Sequence, residues 1–230
     1  MTPSSPPGPS TGTDQELATF AGRDWLPKTC FVMLMRDERL AALRTRFDAA
    51  TGRLAIARDG RVLLEAPIGE PEGGCRVAAF IESFLAGEVT GPLRVVAAPG
   101  HAFADARRKP NATTDQYVSL INLASIRALE GAIGAAVDPL RFRANLYFDG
   151  PPAWHELDWL GREISAGGAR LRGVAAITRC AATQVNPETA ERDLDIVGAL
   201  ERSFGHNLMG IYAEVVEGGD VAIGDRLTAS

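Results

Sequence analysis

Arg141, Arg143 and Asn145 stand at alternate positions in the run RFRANLYFDG. On an extended chain alternate residues share a face, so this spacing predicts a β-strand offering two guanidinium groups and an amide on one side. Phe142, Ala144, Leu146 and Phe148 would fill the other side as core. A guanidinium is a planar fork of N–H donors that pairs bidentately with anionic oxygens, so such a face suits a planar, anionic or phosphate-bearing ligand. Further along, Cys180 follows Arg179 at the end of a second β-rich run. A thiol beside a cation ionises more readily, and the thiolate is the form that binds metal or attacks. Each pattern also has a plain structural reading. Alternation is what any half-solvated strand shows, and a single cysteine commonly serves as a small buried apolar residue.

The elements that must position these residues are mostly strands. FVMLMR (31–36) is an apolar strand candidate, followed by a polar turn and a strand over 43–47. Residues 54–57 and 62–64 predict a hairpin closed by Asp59-Gly60. Val77, Phe80, Ile81, Phe84 and Leu85 recur at helical spacing, which predicts a helix from Cys75 to Ala86 stopped by Gly87. Leu93 to Ala97 reads as a strand. A polar segment over 101–116 joins the two halves. Val118 to Ile121 reads as a strand, and Asn122 as the cap of a helix carrying Leu123, Ile126 and Leu129 and ending at Gly131. A strand at 162–165, a Gly167-Gly168 turn and a strand-rich run over 170–183 follow. Residues 187–200 look helical in part, with Glu188, Glu191 and Asp193 favouring the helix start. The chain should close on a hairpin of 209–216 with 222–227.

Composition narrows the function. With 230 residues and 46% hydrophobic content, the chain can bury a core as one domain or two small ones. Its 14 prolines and 24 glycines favour many turns and short strands. A net charge of −5 and a pI near 5.3 argue against nonspecific nucleic-acid binding. Cys30, Cys75 and Cys180 are odd in number and far apart, which implies no disulfide framework, no structural zinc site and no four-cysteine cluster. No apolar run approaches the length of a membrane span, and MTPSSPPGPSTGTD lacks the features of a signal peptide. Residues 1–22 read as a disordered leader, and the expected location is the cytoplasm.

RFRANLYFDG, Glu156 with Trp159, TRCAAT with NPET, and the closing YAEVVEGGDVAIGD together resemble the MOSC domain, a β-barrel module named after the molybdenum-cofactor sulfurase C-terminus. The blocks come in the family's order and span the second half of the chain. The resemblance implies an α+β, strand-dominated fold. In it a MOSC-type β-barrel over 113–230 is preceded by a small, incomplete β-rich N-terminal subdomain over 23–112. The likeness to the N-terminal half of two-part members starts only around WLPKTCFVMLMRDERL. The proline–lysine–serine loop of such members is not matched. Ala144 stands where the motif often has proline.

In proteins similar to this one the barrel mouth holds a molybdopterin-type molybdenum cofactor. The resemblance makes Cys180 the molybdenum ligand and the catalytic residue, since a soft thiolate suits a metal already bound by dithiolene sulfur. It makes Arg143 and Asn145 grips for cofactor oxygens, and Thr178, two before the cysteine on the expected strand face, a further contact. Arg141 fits the same pocket, and Asp115 lies where some members place an acidic residue near the metal. Glu156 and Trp159 should support the fold. Two activities follow from the family. One is reduction of N-hydroxylated small molecules with electrons from a separate protein. The other is sulfur transfer to the cofactor, with a persulfide on Cys180 and a separate sulfur donor. The alternative is a non-catalytic binding or scaffold protein that keeps the fold without a complete site.

Overall fold

A computed structural model of the chain describes residues 28–87, 89, 91–96 and 117–230. The leader expected over 1–22 and the whole 101–116 junction, Asp115 included, lie outside the described residues. The chain divides into two compact units, one comprising Met1–Thr113 with Glu188–Ala190 and one comprising Thr114–Pro187 with Glu191–Ser230.

In the first unit β1 (Arg44–Asp48), β2 (Arg53–Arg58) and β3 (Arg61–Pro67) form an antiparallel sheet in chain order. Asp59 and Gly60 close the β2–β3 turn at φ 51° and 74°. These left-handed values match the turn to the twist of the strands, and Asp and Gly are the residues that reach them readily. Helix α1 (Pro71–Leu85) starts with proline in its first turn, and its Val77, with Phe80 and Ile81, packs on Ile56 and Ala66 of the sheet. It ends on Ala86 in the left-handed conformation, one residue before the expected Gly87 stop.

Two strand expectations fail in this unit. Residues 31–36 bend through a turn, with the Arg36 and Asp37 N–H groups donating to the Met33 carbonyl. Residues 93–96 are likewise irregular. Apolar composition alone does not make a strand: backbone groups need partners, and around residues 31–36 the Arg36 and Asp37 N–H groups find theirs locally, in the Met33 carbonyl.

The second unit holds a six-stranded sheet of order β5-β4-β8-β7-β6-β9. Its strands are β4 (Tyr117–Asn122), β5 (Leu146–Phe148), β6 (Glu163–Ala166), β7 (Ala169–Thr178), β8 (Leu208–Glu217) and β9 (Leu227–Ala229). Only the β4–β5 pair is parallel. Helices α2 (Leu123–Ile133) and α3 (Ile196–Phe204) pack on one face over Ile121, Val137, Phe142 and Met209. The other face buries Leu120, Phe148, Trp159, Ile164, Leu171 and Ile211. Neighbours Leu120 and Ile121 thus face opposite cores, as strand alternation requires.

The sheet curls into a half-barrel because β7 and β8 slip register at three places along their length. Each slip inserts an extra residue that bends and twists the strand. One slip falls at Gly210, which sits at φ 76°. Met209 and Ile211 are two apart yet serve opposite cores, because the left-handed glycine between them breaks the alternation. The closing hairpin is a further correction. Residues 227–229 pair with β6, not with β8. Since β8 lies between β4 and β7, neither of its edges is left for a hairpin partner. The fold is strand-dominated α+β, as the sequence led one to expect.

Candidate functional site

The run that carries Arg141, Arg143 and Asn145 is a turn before it is a strand, and this corrects the expected face. Asp138 accepts a hydrogen bond from the Leu140 N–H at 2.8 Å and Pro139 fixes the next φ. Together they start a 3-10 turn over Pro139–Phe142. It ends on Arg143 in the left-handed region, φ 52°, and pairing with β4 begins only at Leu146. Tyr147 locks the turn from behind: its hydroxyl donates to the Pro139 carbonyl at 2.9 Å and accepts from the Ala144 N–H at 3.0 Å.

The arginines therefore part company. The Arg141 side chain is 3% exposed. Its Nη2 reaches the Asp193 carboxylate at 2.7 Å and its Nη1 the Gln184 carbonyl at 3.1 Å. Arg143 stays exposed. Asn145 is held by Ser119, whose N–H and hydroxyl both donate to its Oδ1, at 2.9 and 2.8 Å. That leaves the Asn145 Nδ2 donors pointing to the other side of the amide.

Thr178 is the last residue of β7, exposed and opposite Leu208. The strand stops there, so Thr178 and Cys180 do not share a strand face as expected. Arg179 explains the stop. Its N–H donates to the Asn207 carbonyl at 2.8 Å. Its guanidinium donates twice to the Met209 carbonyl, at 2.9 and 2.6 Å, and once to the Phe142 carbonyl at 3.2 Å. It also lies 5.3 Å over the Phe142 ring, a favourable cation–π placement. Arg179 thus clips the end of β7 to the turn that carries Arg143. The sequence suggested a cation for the neighbouring thiol; in the fold the guanidinium donates to the Met209 and Phe142 carbonyls.

Cys180 follows in extended conformation, half-buried, at the head of a 3-10 turn over Ala181–Gln184. Its carbonyl accepts from the N–H and the hydroxyl of Thr183, at 3.0 and 2.9 Å. The residues that motifs single out at 141–145 and at 178–180 are brought together, while Asp115 is outside the described residues. Sequence reasoning missed Tyr147, Ser119 and Asp193 as the partners that shape these turns. Asp138-Pro139 was the local signal for the first turn; no local signal marks Asp193.

Among the described residues no three His, Cys, Asp or Glu side chains gather to hold a bare metal ion. The donor set is instead one thiol, an exposed guanidinium, amide N–H groups and a hydroxyl. That set fits an oxygen-rich anion whose metal arrives with ligands of its own and takes one more from a thiolate. The Arg141 Nε, buried and without a hydrogen-bond acceptor, is a further unused donor at the back of the same turns.

Glu156 supports the fold, as expected. It is fully buried, and the Ser125 hydroxyl lies 2.7 and 2.9 Å from its two oxygens. The Trp154 N–H donates to the same hydroxyl at 2.8 Å. Burial pushes the Glu156 carboxyl above the usual carboxylate range, and hydrogen bonds from Ser125 and Asn122 offset this only in part. A raised folded value favours the protonated form, so this group's contribution is present below its ordinary value near 4.5 and is lost as pH rises through the folded value. Glu156→Gln should therefore gain stability relative to the parent as pH rises from 4 upward. Paired melting curves across that range would read this, and a difference that does not change with pH would refute it.

The second unit is thus of the barrel-like, strand-dominated class, a curled, mixed half-barrel with a cysteine turn and an arginine–asparagine turn meeting at one end. The MOSC domain family model matches residues 100–228, more than half of the chain, and the chain belongs to the MOSC domain family. That family is associated with binding of the molybdenum cofactor. No curated protein is similar enough to the chain to serve as a close relative. No helix among the described residues is long and apolar enough to cross a membrane.

Proposed function

We propose that this MOSC protein binds a molybdopterin-type molybdenum cofactor and that Cys180 is its protein ligand to the metal. The observation that carries this reading is the Arg179–Phe142 clip, which sets the cysteine turn beside the turn of Arg143 and Asn145. Arg143 would pair with anionic oxygens, the Nδ2 donors of Asn145 with pterin or phosphate acceptors, and Thr178 would add a hydroxyl. Arg141 lies behind them, and Asp115 is the acid proposed beside the metal. When bound, the cofactor would supply a redox-active metal. The chain's own part is to hold it, orient it and present a small molecule to it.

Two reactions suit this arrangement. One is reduction of N-hydroxylated compounds, with electrons delivered by a separate protein. The other is sulfur transfer to the cofactor, in which Cys180 carries a persulfide received from a separate donor. The working place for either is the cytoplasm, with no nucleic acid or membrane involved. The test is elemental analysis of protein purified from a host that makes the cofactor. Near-stoichiometric molybdenum is expected in the parent, and Cys180→Ala should lower it by about tenfold or more while the circular dichroism spectrum holds, since a metal–thiolate bond is lost. Equal metal content in both proteins, or none in the parent, would instead support a scaffold that keeps the fold without the cofactor.

A further inference from the structure

Asp193 belongs to none of the motifs that mark this family in the sequence, yet it holds the most buried cation described in the second unit. The Arg141 side chain is 3% exposed, and Asp193, 35% exposed, is its carboxylate partner at 2.7 Å. A guanidinium so deeply placed is costly without a counter-ion and without acceptors for its N–H groups. Its Nη1 donates to the carbonyl of Gln184, the last residue of the turn that Cys180 opens. Asp193 is in turn held by the Asn186 side-chain amide at 2.7 Å. Its flanking chain is stitched to the same turn: Arg192 donates to the Ala181 carbonyl at 2.8 Å, and the Asn186 N–H donates to the Glu191 carbonyl at 2.8 Å. Burial would raise the Asp193 carboxyl, but the Asn186 and Arg141 hydrogen bonds outweigh it and hold the group below the usual range.

From this geometry we infer that Asp193 is a positioning residue for Cys180: by holding Arg141 against the Gln184 carbonyl, it fixes the cysteine turn to the turn that ends on Arg143. The Nη groups of Arg141 face inward to Asp193 and Gln184, so Arg141 serves the site from behind, through the backbone it braces. Arg179 fastens the front of the cysteine turn to Phe142, and the Arg141–Asp193 pair fastens its back. A thiolate braced at both ends is presented in one geometry, which is what a single metal ligand or a persulfide carrier requires. The inference rests on the proposed role of Cys180, but its test needs no cofactor.

The measurement is the rate of iodoacetamide labelling at Cys180 relative to exposed Cys75, resolved by peptide mass spectrometry on the full chain. Asp193→Asn removes the charge and keeps the shape. Loosening the turn should raise the Cys180 to Cys75 rate ratio about tenfold, as local opening becomes more frequent. Asp193→Glu, which restores the carboxylate, should recover most of the parent ratio, a rescue that general damage to the fold would not show. A ratio within about twofold of the parent for Asp193→Asn, or a Glu variant no better than Asn, would overturn the inference. If Asp193→Asn does not fold, Arg141→Lys, which keeps the charge and loses the fork, carries the test with the same two outcomes. Should the ratio respond while Cys180→Ala leaves molybdenum content unchanged, the brace stands and the cofactor reading falls.

Discussion

Arg179→Ala is expected to lower the stability of the second unit by about 3–5 kcal/mol. Each hydrogen bond from a charged donor contributes about 1.5–3 kcal/mol, and a buried acceptor left bare costs about 1–3 kcal/mol. The guanidinium donates to two carbonyls, those of Met209 and Phe142, and both residues are buried. The contributions are coupled, so the simple sum is an upper bound. In a chain of this size the loss corresponds to a fall in melting temperature of roughly 10 °C. Arg179→Lys should recover only part of it, because an ammonium cannot reach both carbonyls in the plane that the guanidinium spans. Thermal unfolding of the three proteins followed by circular dichroism checks this. A lysine variant as stable as the parent would mean that the charge alone matters and that the fork does not.

Gly210→Ala should be comparably damaging, for a different reason. The residue sits at φ 76° in the middle of β8. An L residue in that region loses about 1–2 kcal/mol. The added Cβ would also meet the Leu120 carbonyl oxygen and the Ile121 side chain of β4. Leu120 is paired to Ile211 in the sheet, so its carbonyl cannot step aside without breaking the ladder. Forced overpacking of this kind costs about 1–3 kcal/mol more, which brings the expected loss to about 2–5 kcal/mol. Gly52 provides the comparison: its φ is 65°, but nothing lies within 4 Å of where its Cβ would stand. Gly52→Ala should show the conformational part alone, about 1–2 kcal/mol. Urea unfolding of both variants separates the effects. If Gly210→Ala proves no worse than Gly52→Ala, the close approach of β8 to β4 is not what demands glycine there.

The same two residues matter to the site, because they shape the end of the sheet at which the motif turns meet. Arg179 reaches the Met209 carbonyl, next to Gly210, and the Phe142 carbonyl, next to Arg143. Under the proposed function, loss of either residue should therefore lower molybdenum content along with stability, whereas Gly52→Ala should lower stability alone.

The sequence by itself determined the features that depend on a residue and its immediate neighbours. Asp59-Gly60 closed its hairpin because that pair reaches left-handed φ at little cost. Asn122 capped its helix through the Ala124 N–H. Val77, Phe80 and Ile81 faced a core because helical spacing puts them on one side. The family was legible too, since its blocks are short runs in a fixed order. What only the tertiary structure decided was where partners came from. Arg141 and Arg143 are chemically identical and two positions apart, yet one is buried and the other exposed, because Asp193 lies 52 residues away in the chain and within reach of only one of them. Residues 31–36 are as apolar as a strand but bend, because their backbone closes on the Met33 carbonyl, and residues 227–229 join β6 in place of β8, because both edges of β8 are already taken. Backbone preference is a property of the local chain, whereas pairing and burial are properties of neighbours that only folding brings near.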